Sequence, residues 1–241
     1  MSKEIGFVLW EGASLIDGAP IAVIATMASN NRKTGKPGKK NMIQTWIIRT
    51  DIEPHKAAKQ GLDYSVCGDC VHRPEKSNSC YVTLFQAPLA VFRGYHRGIY
   101  SHDLEAFERE LPTRKLRIGA YGDAGATPTA MWTRWAGLAM GRTGYTHQWQ
   151  RPDFDPALLD LVMASVDTPE QALKVKSRYF RVKGENEPAL KGEVECLADS
   201  KNMNCADCLV CDGGNKGKSI YINVHGAKAS NFNPNIIAIA A

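Results

Sequence analysis

The chain contains no run of about 18 consecutive apolar residues, the length a helix needs to cross a bilayer. It carries no Walker loop, no dinucleotide fingerprint after its first strand pattern and no Gly-x-Ser-x-Gly elbow. Those absences exclude the commonest phosphate-cradle, nicotinamide and serine-hydrolase readings. No internal repeat or low-complexity segment is present. Strong charge of one sign is missing too: the formal net charge of +5 permits contact with nucleic acid without requiring it. The opening MSKEIGFVLWEG has an acid early and no apolar core followed by a cleavage site, so a cytoplasmic protein is expected. An even number of cysteines is lacking as well. Seven cannot all pair, and in a reducing compartment cysteines serve more often as ligands than as disulfides.

What is present is a hydrophobic content of 44%, enough for a sizeable core, in 241 residues, the size of one large domain. GFVLWEGASLIDGAPIAVIATM predicts two strands around an Asp17–Gly18 turn. MIQTWIIRTD predicts a further strand, and EPHKAAKQ a short helix stopped by Gly61. From residue 116 strands and helices alternate. LRIGAYGD, TGYTHQW, LVMASVD, SRYFRVK and SIYINVHG read as strands; TPTAMWTRWAGLAM, DPALLD and TPEQALKVK read as helices. Thr127, Asp155 and Thr168, each before a proline, mark helix starts. This alternation predicts βαβ units and a parallel sheet. The expected fold is therefore a single α/β domain over 1–241. Residues 1–60 supply an N-terminal hairpin, a basic loop and the first strand and helix; 61–241 supply the cysteine loops and a β/α core.

All seven cysteines fall into two groups: Cys67, Cys70 and Cys80 in CGDCVHRPEKSNSC, and Cys196, Cys205, Cys208 and Cys211 around CADCLVC. The C-x2-C-x2-C run matches the ligand spacing of ferredoxin-type four-iron clusters, with Cys196 available as fourth thiolate. Zinc bound by the same four thiolates is the alternative. The first group has no obvious fourth cysteine. Iron–sulfur there leaves one iron without a protein thiolate, zinc would recruit His72 or a distant residue, and a single site pooling both groups is a third arrangement.

Ligands of parallel α/β folds gather at the carboxyl ends of the strands. Asp123, His147 and Asp167 fall there, as do Ser165 and His225, which makes the first three candidates for catalytic hydrogen-bonding or acid/base roles. The alternative for each is a loop cap or a satisfied core side chain. Gly122 and Gly125 in YGDAG are candidate cofactor contacts, although a strand-to-loop turn also explains them. Trp132 and Trp135 fall on one helix face and predict core packing. The loop NNRKTGKPGKKN is read as a solvated connection; its Lys33, Lys36, Lys39 and Lys40 could otherwise contact phosphates.

A cysteine loop after an early strand, strands with polar carboxyl ends and a later cysteine loop resemble the radical S-adenosylmethionine superfamily. More narrowly, VCGDC…SCYV, YGDAGATP, GYTHQW and the C-terminal cysteine run resemble a family of phage and prophage cysteine-rich proteins, over most of the chain from residue 61. The superfamily usually spaces its cysteines C-x3-C-x2-C, whereas this chain has C-x2-C-x9-C. The resemblance implies a partial β/α barrel and a catalytic 4Fe-4S cluster on Cys67, Cys70 and Cys80. It also implies S-adenosylmethionine as cofactor and, for a phage-encoded chain, the host cytoplasm. The function expected is a radical-type or redox enzyme acting on a nucleotide, nucleic acid or peptide. The competing function is a zinc-stabilised nucleic-acid-binding protein.

Overall fold

The computed structural model describes residues 5–28, 42–235 and 237, and is mixed α/β. The basic loop with Lys33, Lys36, Lys39 and Lys40 lies outside the described residues. Among the described residues nine strands form one sheet: β1 (Gly6–Ala13), β2 (Pro20–Thr26), β3 (Ile43–Arg49), β4 (Lys115–Tyr121), β5 (Gly141–Thr146), β6 (Met163–Val166), β7 (Tyr179–Lys183), β8 (Glu193–Glu195) and β9 (Ser219–Asn223). Their spatial order is β1-β2-β3-β4-β5-β6-β7-β9-β8. The first two pairings are antiparallel, as the expected hairpin requires, and every pairing from β3 onward is parallel. Strands thus follow chain order up to β7, and only β9 and β8 exchange places. Among the described residues β1 and β8 stand at the two ends of this order.

The helices are α1 (Pro54–Lys59), α2 (Tyr64–Cys67), α3 (Ala87–His96), α4 (Leu104–Glu110), α5 (Thr129–Leu138), α6 (Pro169–Lys174), α7 (Leu197–Ser200) and α8 (Cys205–Cys208). Thr168 caps α6 by accepting from Gln171 N at 3.2 Å, as its position before Pro169 predicts. Asp155 likewise accepts from Ala157 N at 3.0 Å and opens a 3₁₀ turn over Pro156–Asp160. Thr127 does not cap α5. Its hydroxyl donates to Ala124 O and accepts from Trp132 Nε1, so Pro128 takes the cap position instead.

The larger core joins β1–β4 to the helices: Phe7, Ile24, Ile47, Leu116, Ile118 and Phe107 pack with Trp132 and Trp135. The two indoles meet edge to face at 6.0 Å, and Phe107 meets Trp135 at 5.6 Å, so the expected tryptophan pair is core. A smaller core of Met163, Phe180, Cys211, Ile220 and Ile222 lies along β6, β7 and β9. Because side chains alternate along a strand, β4 sends Leu116, Ile118 and Ala120 to one face and Arg117 to the other. Arg117 is 8% exposed and donates to Tyr81 Oη at 3.0 Å.

Candidate metal centre

The crossover from β3 to β4 carries the first cysteine group and folds it onto the sheet. Cys67 ends α2, and Gly68 follows with a positive φ of 53°. A side chain there would also run into Gln148, whose Nε2 donates to Cys67 O at 3.0 Å. The nine-residue spacer before Cys80 does not extend. Ser77 N donates to Val71 O and Cys80 N to His72 O, each at 3.0 Å, so the loop doubles back and returns Cys80 to His72. Buried Arg73 clamps the turn through Gly61 O at 2.7 Å and Asp63 at 2.6 Å, over the Tyr64 ring. Asp123 N donates to Val66 O at 2.6 Å, tying this assembly to the end of β4.

Three consecutive strands end against the loop. β4 leads to Asp123, β5 to His147 and β6 to Asp167. His72 Nε2 lies 2.9 Å from Asp167 Oδ1, and His147 Nε2 lies 3.4 Å from Asp167 Oδ2 and 3.8 Å from Cys70 Sγ. Among the described residues, His72, His147 and Asp167 form the group of His, Cys, Asp or Glu side chains whose ligand atoms all lie within 4.8 Å of one another. His147 and Asp167, with Asp69, Val71, Ser165 and Gln171, border a cleft of about 350 Å³.

Charge explains how these groups hold their protons. Burial would disfavour charge on Asp167, but His147 and then His72 outweigh it and keep the carboxyl well below its usual range. Burial would likewise lower both imidazoles. The Asp167 charge overcomes it at His72, and Cys70 with Asp167 carries His147 well above its ordinary value. Burial would raise Cys70, yet His147 and His72 bring it below a normal thiol. Burial, then Asp63, Cys70 and Cys80, pushes Cys67 far up; burial, then Cys70, takes Cys80 to about 11. The three thiols therefore share one electrostatic neighbourhood.

Asp123 has a different surrounding. Its Oδ1 accepts from Gly125 N at 2.8 Å and Thr146 Oγ1 at 2.7 Å; its Oδ2 accepts from His147 N at 2.7 Å and Gln148 Nε2 at 3.4 Å. Four donors thus surround this carboxylate, which orients the backbone of His147. Gly122, with φ 78°, stands where a Cβ would lie 2.7 Å from Ile47 O, and a Cβ on Gly125 would meet Gln148 Cβ at the same distance. Close backbone packing accounts for both glycines. His225 stacks on Tyr81 at 5.6 Å, and its Nδ1 lies 3.1 Å from Asn223 O. Ser165 O accepts from Trp149 Nε1 at 2.7 Å, which uses the indole of the HQW segment as a brace.

The 206–209 stretch of the second cysteine group lies beside the opening ends of β4 and β5. Lys115, opening β4, donates to Ala206 O; Gly141, opening β5, lies under Leu209. Arg178, just before β7, donates to Val210 O, to Gly213 O at 3.2 Å, to Lys218 O at 3.1 Å and to Asp212 at 2.9 Å. Cys196 N donates to Tyr221 O on β9, and Gly144 N on β5 to Cys211 O. Burial pushes the Cys211 thiol up to about 12, opposed by the Tyr145 hydroxyl bond and reinforced by Cys196, Cys205 and Cys208. The thiols that shift Cys67 and Cys80 belong to the first group, and those that shift Cys211 belong to the second. Four thiolates on one zinc, each at about 2.3 Å, stand about 3.8 Å from one another. Among the described residues no three cysteine sulfurs gather even within 4.8 Å.

Sequence reasoning did not reach Ser77, Ser79, Gln148, Arg117 or Arg178. Their one signal was position: two hydroxyls inside the cysteine spacer and a glutamine beside His147. Compared with known proteins, the chain matches no family model, no curated protein and no solved structure.

Proposed function

We propose that this protein is an iron–sulfur enzyme of radical or redox type, working at the carboxyl ends of β4–β6 in a partial β/α barrel. One observation carries the reading: the Cys67–Cys80 loop is folded onto the ends of three consecutive parallel strands, beside a cleft bordered by His147 and Asp167. Strands laid down in chain order support a barrel-like winding. The donor set fits a cluster. Three half-buried thiols influence one another's titration with no fourth cysteine beside them, and a cubane spreads its thiolates over separate irons. The chemistry such a cluster supplies is one-electron reduction of a ligand docked on its open iron, S-adenosylmethionine in the superfamily this chain resembles.

The remaining roles belong to side chains. His147 and Asp167 present charge and hydrogen bonds to a substrate in the cleft, and Asp123 positions His147. Lys76 and Arg151 border the cleft together with Asp69 and Asp167, a mixed lining that suits a polar substrate, a nucleotide, nucleic acid or peptide. Cys196, Cys205, Cys208 and Cys211 hold a second, closed cluster for structure or electron relay. The test is anaerobic purification with iron, labile-sulfide and zinc analysis, followed by electron paramagnetic resonance of the reduced protein. Expected are stoichiometric iron and sulfide, and a cluster signal that changes when S-adenosylmethionine is added. A colourless protein with zinc and no sulfide overturns the reading in favour of a zinc-stabilised nucleic-acid-binding protein. A signal unmoved at saturating S-adenosylmethionine removes the radical arm and leaves a redox role.

A further inference from the structure

We infer that His72, His147 and Asp167 form a binding site for a single divalent transition-metal ion of the zinc or iron(II) kind, distinct from both cysteine groups. The inference does not depend on what the cysteines hold. Three separate segments, the 71–80 loop and the ends of β5 and β6, deliver these side chains to one place. Their ligand atoms all lie within 4.8 Å of one another. Both Asp167 oxygens are engaged, each facing the Nε2 of a different imidazole at 2.9 and 3.4 Å. The Asp167 side chain is 2% exposed and that of His72 10%.

The tautomer of His72 follows from counting protons. Val71 O can only accept, so the Ser77 hydroxyl at 2.7 Å donates to it. Ser77 then has no proton left for Ser79, also at 2.7 Å, and Ser79 must donate to Ser77. Ser79 Oγ is thereby an acceptor toward His72 Nδ1 at 2.7 Å, and Nδ1 carries the hydrogen. With Nδ1 carrying a hydrogen, Nε2 is the nitrogen that faces Asp167 Oδ1: as an imidazolium it donates to the carboxylate, and as a neutral ring it offers the lone pair with which a cation between the two would be ligated. A ring N–H held by a backbone-anchored acceptor, with the opposite nitrogen free to ligate, is the usual support of a metal-binding histidine.

A Cys70–His147–Asp167 nucleophilic relay does not fit. Such a relay uses opposite nitrogens of the ring, whereas His147 Nε2 faces both Cys70 Sγ, at 3.8 Å, and Asp167 Oδ2. With one nitrogen facing both groups, no opposite nitrogen is left for Asp167 to orient, and His147 Nε2 points to the carboxylate that His72 Nε2 also faces. Two imidazoles and a carboxylate suit zinc or iron(II), and three protein ligands leave coordination positions open. His147 and Asp167 border the cleft, so those positions would face it.

The test is cobalt(II) binding to the full-length, chelator-treated chain under anaerobic conditions, read by visible absorption and competition with a chromophoric chelator. One equivalent is expected to be lost in Asp167→Asn, and its Kd to rise about 10- to 100-fold in Ser79→Ala. Ser79→Thr, which keeps the hydroxyl, should restore it, and Cys67→Ser should leave it in place. Ser79→Ala makes only a small change, so the result stands even if Asp167→Asn folds poorly, which thermal melts would report. Equal uptake by the wild type, Asp167→Asn and Ser79→Ala overturns the inference. So does loss of that equivalent in Cys67→Ser, which would place the ion among the cysteines. Iron and sulfide are measured separately, so failure here is distinct from failure of the cluster reading.

Discussion

Replacing Asp123 by Asn tests the foundation under His147. The carboxylate is buried and accepts from Gly125 N and Thr146 Oγ1 on one oxygen and from His147 N and Gln148 Nε2 on the other. An amide has one acceptor and one donor end. Either orientation sets its NH2 against a backbone N–H, that of Gly125 or that of His147. The Thr146 hydroxyl can turn to adapt, but a backbone N–H cannot. A buried donor left without an acceptor costs about 1–3 kcal/mol, and bonds to a charged acceptor lose about 1.5–3 kcal/mol when the charge goes. The loss expected is about 3–5 kcal/mol, or a fall of about 6–20 °C in melting temperature for a chain of this size. Asp155 supplies the control, since it too accepts from the backbone N–H two residues on, but singly and at the surface. Asn caps as well as Asp, so Asp155→Asn should cost less than about 0.5 kcal/mol. Thermal and urea unfolding of both variants decides the matter. Asp123→Asn melting within about 1 kcal/mol of Asp155→Asn would refute the account of Asp123 as the residue that holds the β5 end in place.

Three further outcomes are expected. Cys208→Ser should lower metal content and folded yield together, because ligand binding energy in that loop is also folding energy; unchanged metal content with unchanged melting would refute it. Arg178→Met should cost about 3–5 kcal/mol in urea unfolding, since it strips the donors from the Val210, Gly213 and Lys218 carbonyls; Arg178→Lys should not restore the loss, having no fork of donors. In metal-free, reduced protein, stability should fall as pH rises above about 9. Cys80 and Cys211 hold their protons to about 11 and about 12 in the fold, so the folded state binds more protons than the unfolded chain across that window. At about 1.4 kcal/mol per thiol per pH unit, the two together cost about 2–3 kcal/mol between about pH 8 and about pH 10. A flat urea midpoint over that range would refute the burial of these thiols.

Much of the fold was legible because its signals are local. The alternation of strand and helix from residue 116, the Asp17–Gly18 hairpin and the caps at Asp155 and Thr168 each rest on neighbours in sequence. The site was legible in part. Strand ends could be located, so Asp123, His147 and Asp167 could be named, but their directions could not. Gly122, at φ 78°, turns the chain so that Asp123 faces backbone donors, while His147 and Asp167 border the cleft. Nor did the C-x9-C spacing disclose that the spacer folds back on itself, because His72 O to Cys80 N is a pairing that the residue types alone do not specify. The hydroxyl chain from Val71 to His72 was out of reach for the same reason: Ser77 and Ser79 carry no pattern until the loop is closed.

Synthesis order gives one contact a further meaning. Lys228 donates to Asn78 Oδ1 at 2.7 Å, Asn231 donates to Asn78 O at 3.0 Å, and Phe232 stacks on His72 at 6.2 Å. These residues emerge from the ribosome about 150 positions after the loop they cover. At about 5–20 residues per second, that interval lasts roughly 8–30 s. For that time the Cys70–Cys80 turn lacks this cover, and the sheet itself can grow strand by strand in chain order as far as β7. A centre of the kind proposed at His72 and the cysteines would thus have an interval during translation in which its loop lacks the contacts of residues 228–232, which latch onto it last.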